Sequence, residues 1–149
     1  MKRNSRRSLF AISVTGIILF AAACSKSSST NSSAITKENL AGTYTLTSLT
    51  ASIPGLPPQD VLDSLLTPCQ RDDQYKLNTD FTFNYIDAGT KCSPPGDYNS
   101  TWALIGTTKI VIGADTGSIQ SFNGKVLVAT STQTIQNIPV TTTETFTKQ

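Results

Sequence analysis

The sequence predicts an all-β domain in which about eight short antiparallel strands close into an up-and-down barrel. Short runs in which apolar and polar residues alternate follow one another closely, with turn-forming residues between them. Threonine, which suits the half-exposed surface of a strand, takes 12 of the 49 positions from 101 to 149. Because each strand has one apolar face and the outermost strands have free edges, closure of the sheet hides both. A flattened sandwich is the alternative.

The predicted strands are separated by turn signals. Asn78-Thr79-Asp80 is expected to turn the chain between two aromatic-rich strands. Asn123-Gly124 is a strong hairpin signal, because both residues tolerate positive φ. Asn137-Ile138-Pro139 is expected to break the chain before the last strand. The strands so delimited span residues 43–50, 74–78, 81–85, 101–105, 109–112, 118–122, 125–130 and 140–147.

One segment, residues 57–66, has a helical rather than an alternating pattern. Val61, Leu62, Leu65 and Leu66 have helical spacing, and prolines stand at the start of the segment and just past its end. We therefore expect one short helix between the first and second strands, where it would cap one end of the sheet.

The N-terminus has the organisation of an export signal. Four basic residues within the first seven positions precede an uncharged, mostly apolar run over residues 9–20, which is the pattern of a signal peptide. This run is shorter than the roughly 20 apolar residues of a transmembrane helix. Ala21-Ala22-Ala23-Cys24 follows and resembles a bacterial lipobox, in which the cysteine is lipidated and becomes the first residue of the mature chain. Ordinary secretion, with cleavage at the same bond, is the alternative.

The cysteine count supports lipidation of Cys24. The chain has three cysteines, and an odd cysteine in an exported protein requires an explanation. If Cys24 carries acyl chains, Cys69 and Cys92 remain to form a disulfide in the oxidising periplasm. That disulfide would enclose one predicted hairpin and have a structural role.

The predicted organisation places the protein in the cell envelope. Residues 1–23 are the expected signal peptide, residues 24–36 a lipidated cysteine with a serine-rich flexible tether, and residues 37–149 the folded domain. Several acyl chains on Cys24 would hold the protein on a membrane. Ser25 is not an acidic retention signal, so we expect the outer membrane, and the absence of acidic residues before Glu38 favours its periplasmic side.

Net charge gives no indication of nucleic-acid binding. The whole chain carries a formal charge of +2. Removal of residues 1–23 takes away four basic residues, which leaves eight Lys or Arg against ten Asp or Glu and a net charge of −2. The basic character of the whole chain therefore comes from the signal peptide, and we expect no nucleic-acid partner.

Several short motifs occur in a characteristic order. Leu40–Tyr44 is similar to an opening strand L-x-G-x-W with tyrosine in place of tryptophan, and Cys69–Asp73 fits C-x-x-D-D. Asn78–Phe81 is similar to an N-x-D-G turn with phenylalanine in place of glycine, while Cys92 and Thr101–Leu104 resemble a second cysteine and a W-x-L strand. Together they resemble the lipocalin-like domain lipoproteins of Gram-negative bacteria. The resemblance implies a small lipocalin-type β-barrel on an outer-membrane lipoprotein, with no settled ligand.

The chain lacks the residues of common catalytic sites. It contains no histidine, which removes Ser-His-Asp and Cys-His catalysis and histidine metal ligands. Its three cysteines are assigned to lipidation and to the disulfide, and Asp72-Asp73 belongs to no calcium-binding loop motif. We therefore expect a protein that is not an enzyme and that has no metal site and no cofactor.

The aromatic residues carry the functional prediction. Tyr44, Phe83, Tyr85 and Trp102 fall on alternating positions that can face inward, and they are the predicted lining of a pocket for a small apolar or amphipathic ligand. The alternative is a barrel filled by its own side chains. Such a barrel would act through its loops, as an inhibitor or as an accessory subunit of an envelope complex. The volume of the interior cavity distinguishes the two.

Overall fold

The structure is a computed structural model of the chain, and it describes residues 32–149. The predicted signal peptide, the predicted lipidation site Cys24 and the first part of the predicted tether lie outside the described residues. Within residues 32–149, no helix has the length and apolar character needed to cross a membrane.

The described residues form one antiparallel sheet that closes into an eight-stranded barrel, which confirms the predicted fold class. Barrel strands that are consecutive in the chain are neighbours in the sheet, and one additional two-residue strand pairs only with the end of the first strand. The strands are β1 (Gly42–Ser52), β2 (Gln59–Asp60), β3 (Gln74–Leu77), β4 (Thr82–Ile86), β5 (Tyr98–Ile105), β6 (Lys109–Ile112), β7 (Asp115–Phe122), β8 (Val126–Ile135) and β9 (Ile138–Lys148). The helical elements are α1 (Lys37–Leu40), α2 (Leu62–Leu65) and a 3₁₀ turn at Pro68–Gln70.

The last strand closes the barrel. β9 pairs with β8 on one side and with β1 on the other. The register shifts once in β1, between Leu46 and Ser48, and once in β7, between Ile119 and Ser121. Such bulges bend a strand and restart its alternation. Apolar side chains on both sides of each bulge therefore remain buried.

The predicted and observed strands differ mainly at their ends. β6 spans the predicted residues 109–112, whereas β5, β7 and β8 are longer than predicted. The break predicted at residues 137–139 is wrong in detail: Gln136 and Asn137 take positive φ and form the turn, and β9 begins at Ile138. Pro139 pairs with Thr134 of β8, beyond the point where β1 stops pairing with β9. A proline is tolerated there because the outer side of β9 needs no amide donor.

The helix predicted over residues 57–66 is reduced to the four residues of α2. Gln59 and Asp60 pair with Ala51 and Thr50 of β1 instead, so the first part of the segment extends the sheet. The Asp60 side chain accepts a hydrogen bond from the Leu62 amide at 3.0 Å, next to the start of the helix. The apolar spacing thus located a helix but overestimated its length.

One end of the barrel is closed by packed side chains. α1 precedes β1 at this end and contributes Leu40, which is fully buried. The Tyr44 hydroxyl donates a hydrogen bond to the Leu40 carbonyl oxygen at 2.7 Å, and the Trp102 indole N–H donates to the Asn78 carbonyl oxygen at 2.8 Å. The buried cluster also contains Leu77, Phe83, Ile110, Ile119, Phe122 and Leu127. Two large aromatic residues are therefore buried here with their polar atoms satisfied.

The turn between β3 and β4 contains a residue in an unusual backbone conformation. The N-x-D-G resemblance predicts glycine at position 81, but Phe81 stands there with a φ of 66°. Glycine adopts this region freely, whereas phenylalanine rarely does. The Phe81 ring lies 5.5 Å from the Trp102 ring between centroids, and the Phe81 carbonyl accepts the Trp102 amide at 2.8 Å. Contact with Trp102 thus compensates for the backbone strain.

The segment before α1 already contacts the barrel. The Ser33 amide donates a hydrogen bond to the Phe122 carbonyl oxygen at 3.0 Å, and Ile35 packs against the buried cluster. The predicted tether runs to residue 36, so its last residues are held by the folded domain. The Ile35 side chain and the Ser33 hydrogen bond explain why these residues belong to the folded domain and not to the flexible tether.

Candidate ligand-binding cavity

A cavity of about 470 Å³ occupies the end of the barrel opposite α1. Exposed residues near the strand ends border it, among them Asp115, Thr132 and Gln133, and it extends inward to the buried Phe83 and Leu127. Small-molecule sites typically have volumes of about 300 to 1,000 Å³. The barrel is therefore hollow at one end and packed at the other.

The cavity is apolar at its inner end and polar at its mouth. Tyr44, Leu77, Phe83, Ile110 and Leu127 are buried and form the inner part. Threonine, serine, glutamine and acidic side chains of β7, β8 and β9 surround the outer part. This gradient suits an amphipathic molecule, since its apolar part can be buried while its polar part stays near water.

Aromatic rings form one wall of the cavity. The Tyr75 and Phe146 rings meet edge to face with centroids 5.1 Å apart, and the centroids of Phe83 and Tyr98 are 5.8 Å apart. These four residues line the cavity and are called the aromatic wall below. Tyr85 stacks on Tyr98 at 5.1 Å but does not itself reach the cavity. The wall is therefore supported by a further ring outside the lining.

The cavity disfavours negative charge on its own side chains. Burial raises the pKa of Tyr44 to about 12. Burial, followed by the charges of Glu144 and Asp73, raises the pKa of Tyr75 to about 12. Burial, followed by the charge of Asp115, also raises the pKa of Glu144. Both phenols therefore stay neutral at physiological pH, and the Glu144 carboxylate is held in an unfavourable environment.

A family profile for the lipocalin-like domain matches residues 40–134, which is more than half of the chain. This chain belongs to the lipocalin-like domain family. The family resemblance seen in the short motifs is thereby confirmed. No curated protein and no solved structure matches the chain.

In this lipocalin-like domain, the glycine of the L-x-G-x-W motif has a steric role. A Cβ added to Gly42 would collide with the Lys148 side chain, which crosses it to donate a hydrogen bond to the Asn39 carbonyl oxygen at 2.9 Å. The Lys148 Nζ also lies 5.7 Å from the centroid of the Tyr44 ring. Gly42 thus leaves room for the Lys148 side chain to reach Asn39.

The two cysteines fix the loop that leads into the aromatic wall. Cys69 and Cys92 form a disulfide, as predicted. Asp87 at the start of the loop is fully buried, and its carboxylate accepts the Cys92 amide at 3.1 Å. The loop ends at Tyr98, the first residue of β5. The disulfide and Asp87 therefore position one side of the cavity mouth.

The two acidic residues of the C-x-x-D-D motif hold the same loop. The Asp72 carboxylate accepts the Thr90 amide at 2.9 Å, and the Asp73 carboxylate accepts the Ala88 amide at 3.1 Å. Asp73 also accepts a hydrogen bond from the Tyr85 hydroxyl. Within residues 32–149, no group of three or more metal-ligating side chains comes together. These carboxylates therefore act on the loop backbone.

The four predicted pocket residues occupy different places. Tyr44 and Phe83 line the cavity. Tyr85 lies outside the lining, with its hydroxyl bonded to Asp73, and Trp102 lies in the packed end. Tyr44 and Phe83 can therefore contact a ligand, whereas Tyr85 and Trp102 support the barrel around the cavity.

The sequence-based prediction omitted most lining residues, among them Tyr98, Asp115 and Glu144. Tyr98 and Asp115 lie in parts of β5 and β7 that preceded the predicted strands. Glu144 lies inside the predicted last strand, where alternation puts it on the same face as Phe146. The alternation of this strand therefore indicated that Glu144 faces inward. A charged residue is rarely predicted inside a barrel from alternation alone, because charged residues are seldom buried.

Proposed function

We propose that this protein is a non-enzymatic, membrane-anchored member of the lipocalin-like domain family that holds a small amphipathic molecule inside its barrel. The observation that supports this function is the cavity of about 470 Å³ with an apolar inner end and a polar mouth. A packed-core protein acting through its loops was the alternative. The cavity counts against that alternative, because a barrel filled by its own side chains leaves no space of this size.

The composition of the lining supports a binding role rather than catalysis. Among the described residues, the lining contains two carboxylates but no histidine, cysteine, lysine or arginine. The described lining therefore has no Ser-His or Cys-His pair of the kind that activates a nucleophile. The binding energy would come from burial of apolar surface.

Substitution of Gly117 by phenylalanine tests whether the cavity binds a ligand. Gly117 of β7 lines the cavity, and a Cβ there would make ordinary contacts of 3.6 to 3.7 Å with Ile110, Ala129 and Thr130. A phenylalanine ring would extend into the open space and occupy it. We expect the neutral probe N-phenyl-1-naphthylamine to bind the wild type saturably, and Gly117→Phe to weaken this binding at least about tenfold. The readout is the fluorescence of the probe.

Gly117→Ala is the matched control, because its methyl group would make only the ordinary contacts with Ile110, Ala129 and Thr130 given above. We expect it to bind the probe as the wild type does, and both variants to show the wild-type far-UV circular dichroism. Undiminished binding in folded Gly117→Phe, or no saturable binding by the wild type, would contradict the proposed function.

We further propose that Cys24 carries the membrane anchor and that the protein resides in the outer membrane with its barrel on the periplasmic side. The support is the lipobox-like Ala21-Ala22-Ala23-Cys24 and the use of Cys69 and Cys92 in the disulfide. Mass spectrometry of the mature protein should show an N-terminal peptide that begins at acylated Cys24. Cys24→Ser should lack the acyl mass and leave the outer-membrane fraction. An unmodified Cys24 thiol in the mature protein argues against the anchor without affecting the cavity.

A further inference from the structure

Two acidic side chains reach the cavity, and neither has a basic partner among residues 32–149. Glu144 of β9 lies opposite Ala129 of β8 and Leu49 of β1, both of them buried apolar residues. Asp115 begins β7 at the cavity mouth. Among the described residues, Glu144 and Asp115 are the only charged members of the lining. The mouth of the cavity is therefore negative.

Among the residues that the structure describes, no basic side chain pairs with these carboxylates. Within residues 32–149, ion pairs join Lys37 to Glu38 and Arg71 to Asp63, and all four residues lie outside the lining. Burial and the charge of Asp115 raise the pKa of Glu144, which is the response of a carboxylate that lacks a neutralising neighbour. A cation brought in by a ligand would remove this unfavourable interaction.

Aromatic rings line the same cavity as the two carboxylates. After burial, the charge of Glu144 is the next largest cause that raises the pKa of Tyr75. The charge of Asp115 likewise raises the pKa of Tyr98, again after burial. Each carboxylate therefore shares the cavity with a tyrosine of the aromatic wall whose pKa its charge raises. An ammonium group is attracted both to a carboxylate and to the face of an aromatic ring within about 6 Å. The combination favours organic cations.

Two other classes of ligand fit these residues less well. A metal ion prefers several converging oxygen ligands, and within the described residues no metal-ligating group of three or more occurs. A fatty acid or another anionic amphiphile would bring a like charge to the mouth beside Glu144 and Asp115, which is unfavourable in a partly buried site.

We propose that the ligand is an organic cation, with an amine or quaternary ammonium group beside Glu144 and Asp115 and an apolar body at the inner end of the cavity. This inference rests on the proposed function, because it specifies what the same cavity holds. Tyr75 and Tyr98 of the aromatic wall contact the cationic group, and Tyr44, Leu77 and Leu127 contact the apolar body. The barrel thus selects by charge at its mouth and by shape at its inner end.

Three ten-carbon probes with different head groups test the proposal. Decyltrimethylammonium, 1-decanol and decanoate are titrated by calorimetry, below their micelle or solubility limits, into the chain from residue 24 onward with Cys24→Ser. This chain is the proposed mature protein without its lipid, so no detergent competes for the cavity. We expect decyltrimethylammonium to bind at least about tenfold more tightly than 1-decanol, and decanoate to bind most weakly.

Glu144→Gln and Glu38→Gln are the matched variants. Both replace a glutamate by its neutral isostere, but Glu38 is exposed on α1 at the closed end of the barrel. We expect Glu144→Gln to reduce the preference for decyltrimethylammonium over 1-decanol at least about tenfold. Glu38→Gln should leave all three affinities unchanged. We also expect Glu144→Gln to unfold at the wild-type temperature or above it, because it removes an unpaired carboxylate.

The outcomes separate this inference from the proposed function. Equal binding of the three probes, or an unchanged cation preference in Glu144→Gln, overturns the cationic ligand and leaves a neutral amphipathic ligand in place. Absence of binding by all three probes, or binding that Gly117→Phe does not reduce, overturns the proposed function itself.

Discussion

Replacement of Trp102 by alanine is expected to cost about 3 to 5 kcal/mol of folding free energy. Trp102 is 2 % exposed and lies in the packed end of the barrel, below the cavity. The substitution would remove its contact with the Phe81 ring and its hydrogen bond to the Asn78 carbonyl oxygen. It would also leave Phe81 in its strained conformation without the ring that holds it. Urea denaturation followed by far-UV circular dichroism measures the loss.

Two variants show whether the loss comes from the packed end. Trp102→Phe keeps most of the ring and loses the indole hydrogen bond, so it should cost less than Trp102→Ala. Tyr98→Ala removes a half-exposed ring at the mouth and should cost about 1 kcal/mol or less. A cost below about 1 kcal/mol for Trp102→Ala would show that the closed end is not tightly packed.

Removal of the disulfide by the double substitution Cys69→Ser and Cys92→Ser is expected to cost about 3 kcal/mol. The two cysteines are 23 residues apart in sequence. Without the crosslink, the unfolded chain gains the conformational entropy that this loop closure had removed. In the folded state, the carboxylates of Asp72, Asp73 and Asp87 continue to accept amide hydrogens of the loop. The variant should therefore remain folded but unfold at lower urea concentration.

Reduction of the wild type provides the control for this prediction. Wild-type protein in reducing agent should show the stability of the double-serine variant, and the variant itself should not respond to the reducing agent. A double variant as stable as the oxidised wild type would mean that the carboxylate contacts alone hold the loop. In that case the disulfide makes no net contribution to folding.

Much of the barrel was predictable because the inward side of each strand must be apolar. Alternation with a period of two located the eight barrel strands, and Asn123-Gly124 marked a real hairpin in which Gly124 takes a φ of 91°. Strand ends were less predictable, since backbone pairing continues beyond the apolar residues. Pro139 shows this clearly: it lies inside β9 only because one side of the strand is free at that point.

The candidate site was only partly predictable. Alternation identifies which residues face inward but not their depth along the barrel, so it could not separate Tyr44 and Phe83 in the lining from Trp102 in the packed end. Depth follows from the register between strands, which a single sequence does not reveal. Glu144 was overlooked for another reason: a binding site departs from the rule that buried positions are apolar.

Closure of the barrel by β9 affects the order in which the chain acquires its structure. Thr47 and Thr147 are 100 residues apart in sequence, yet their hydroxyl oxygens are 3.0 Å apart across the β1–β9 seam. A growing chain that lacks β9 has open edges on β1 and β8, and non-local pairing of this kind forms slowly. The native sheet is therefore completed only after β9 has been synthesised.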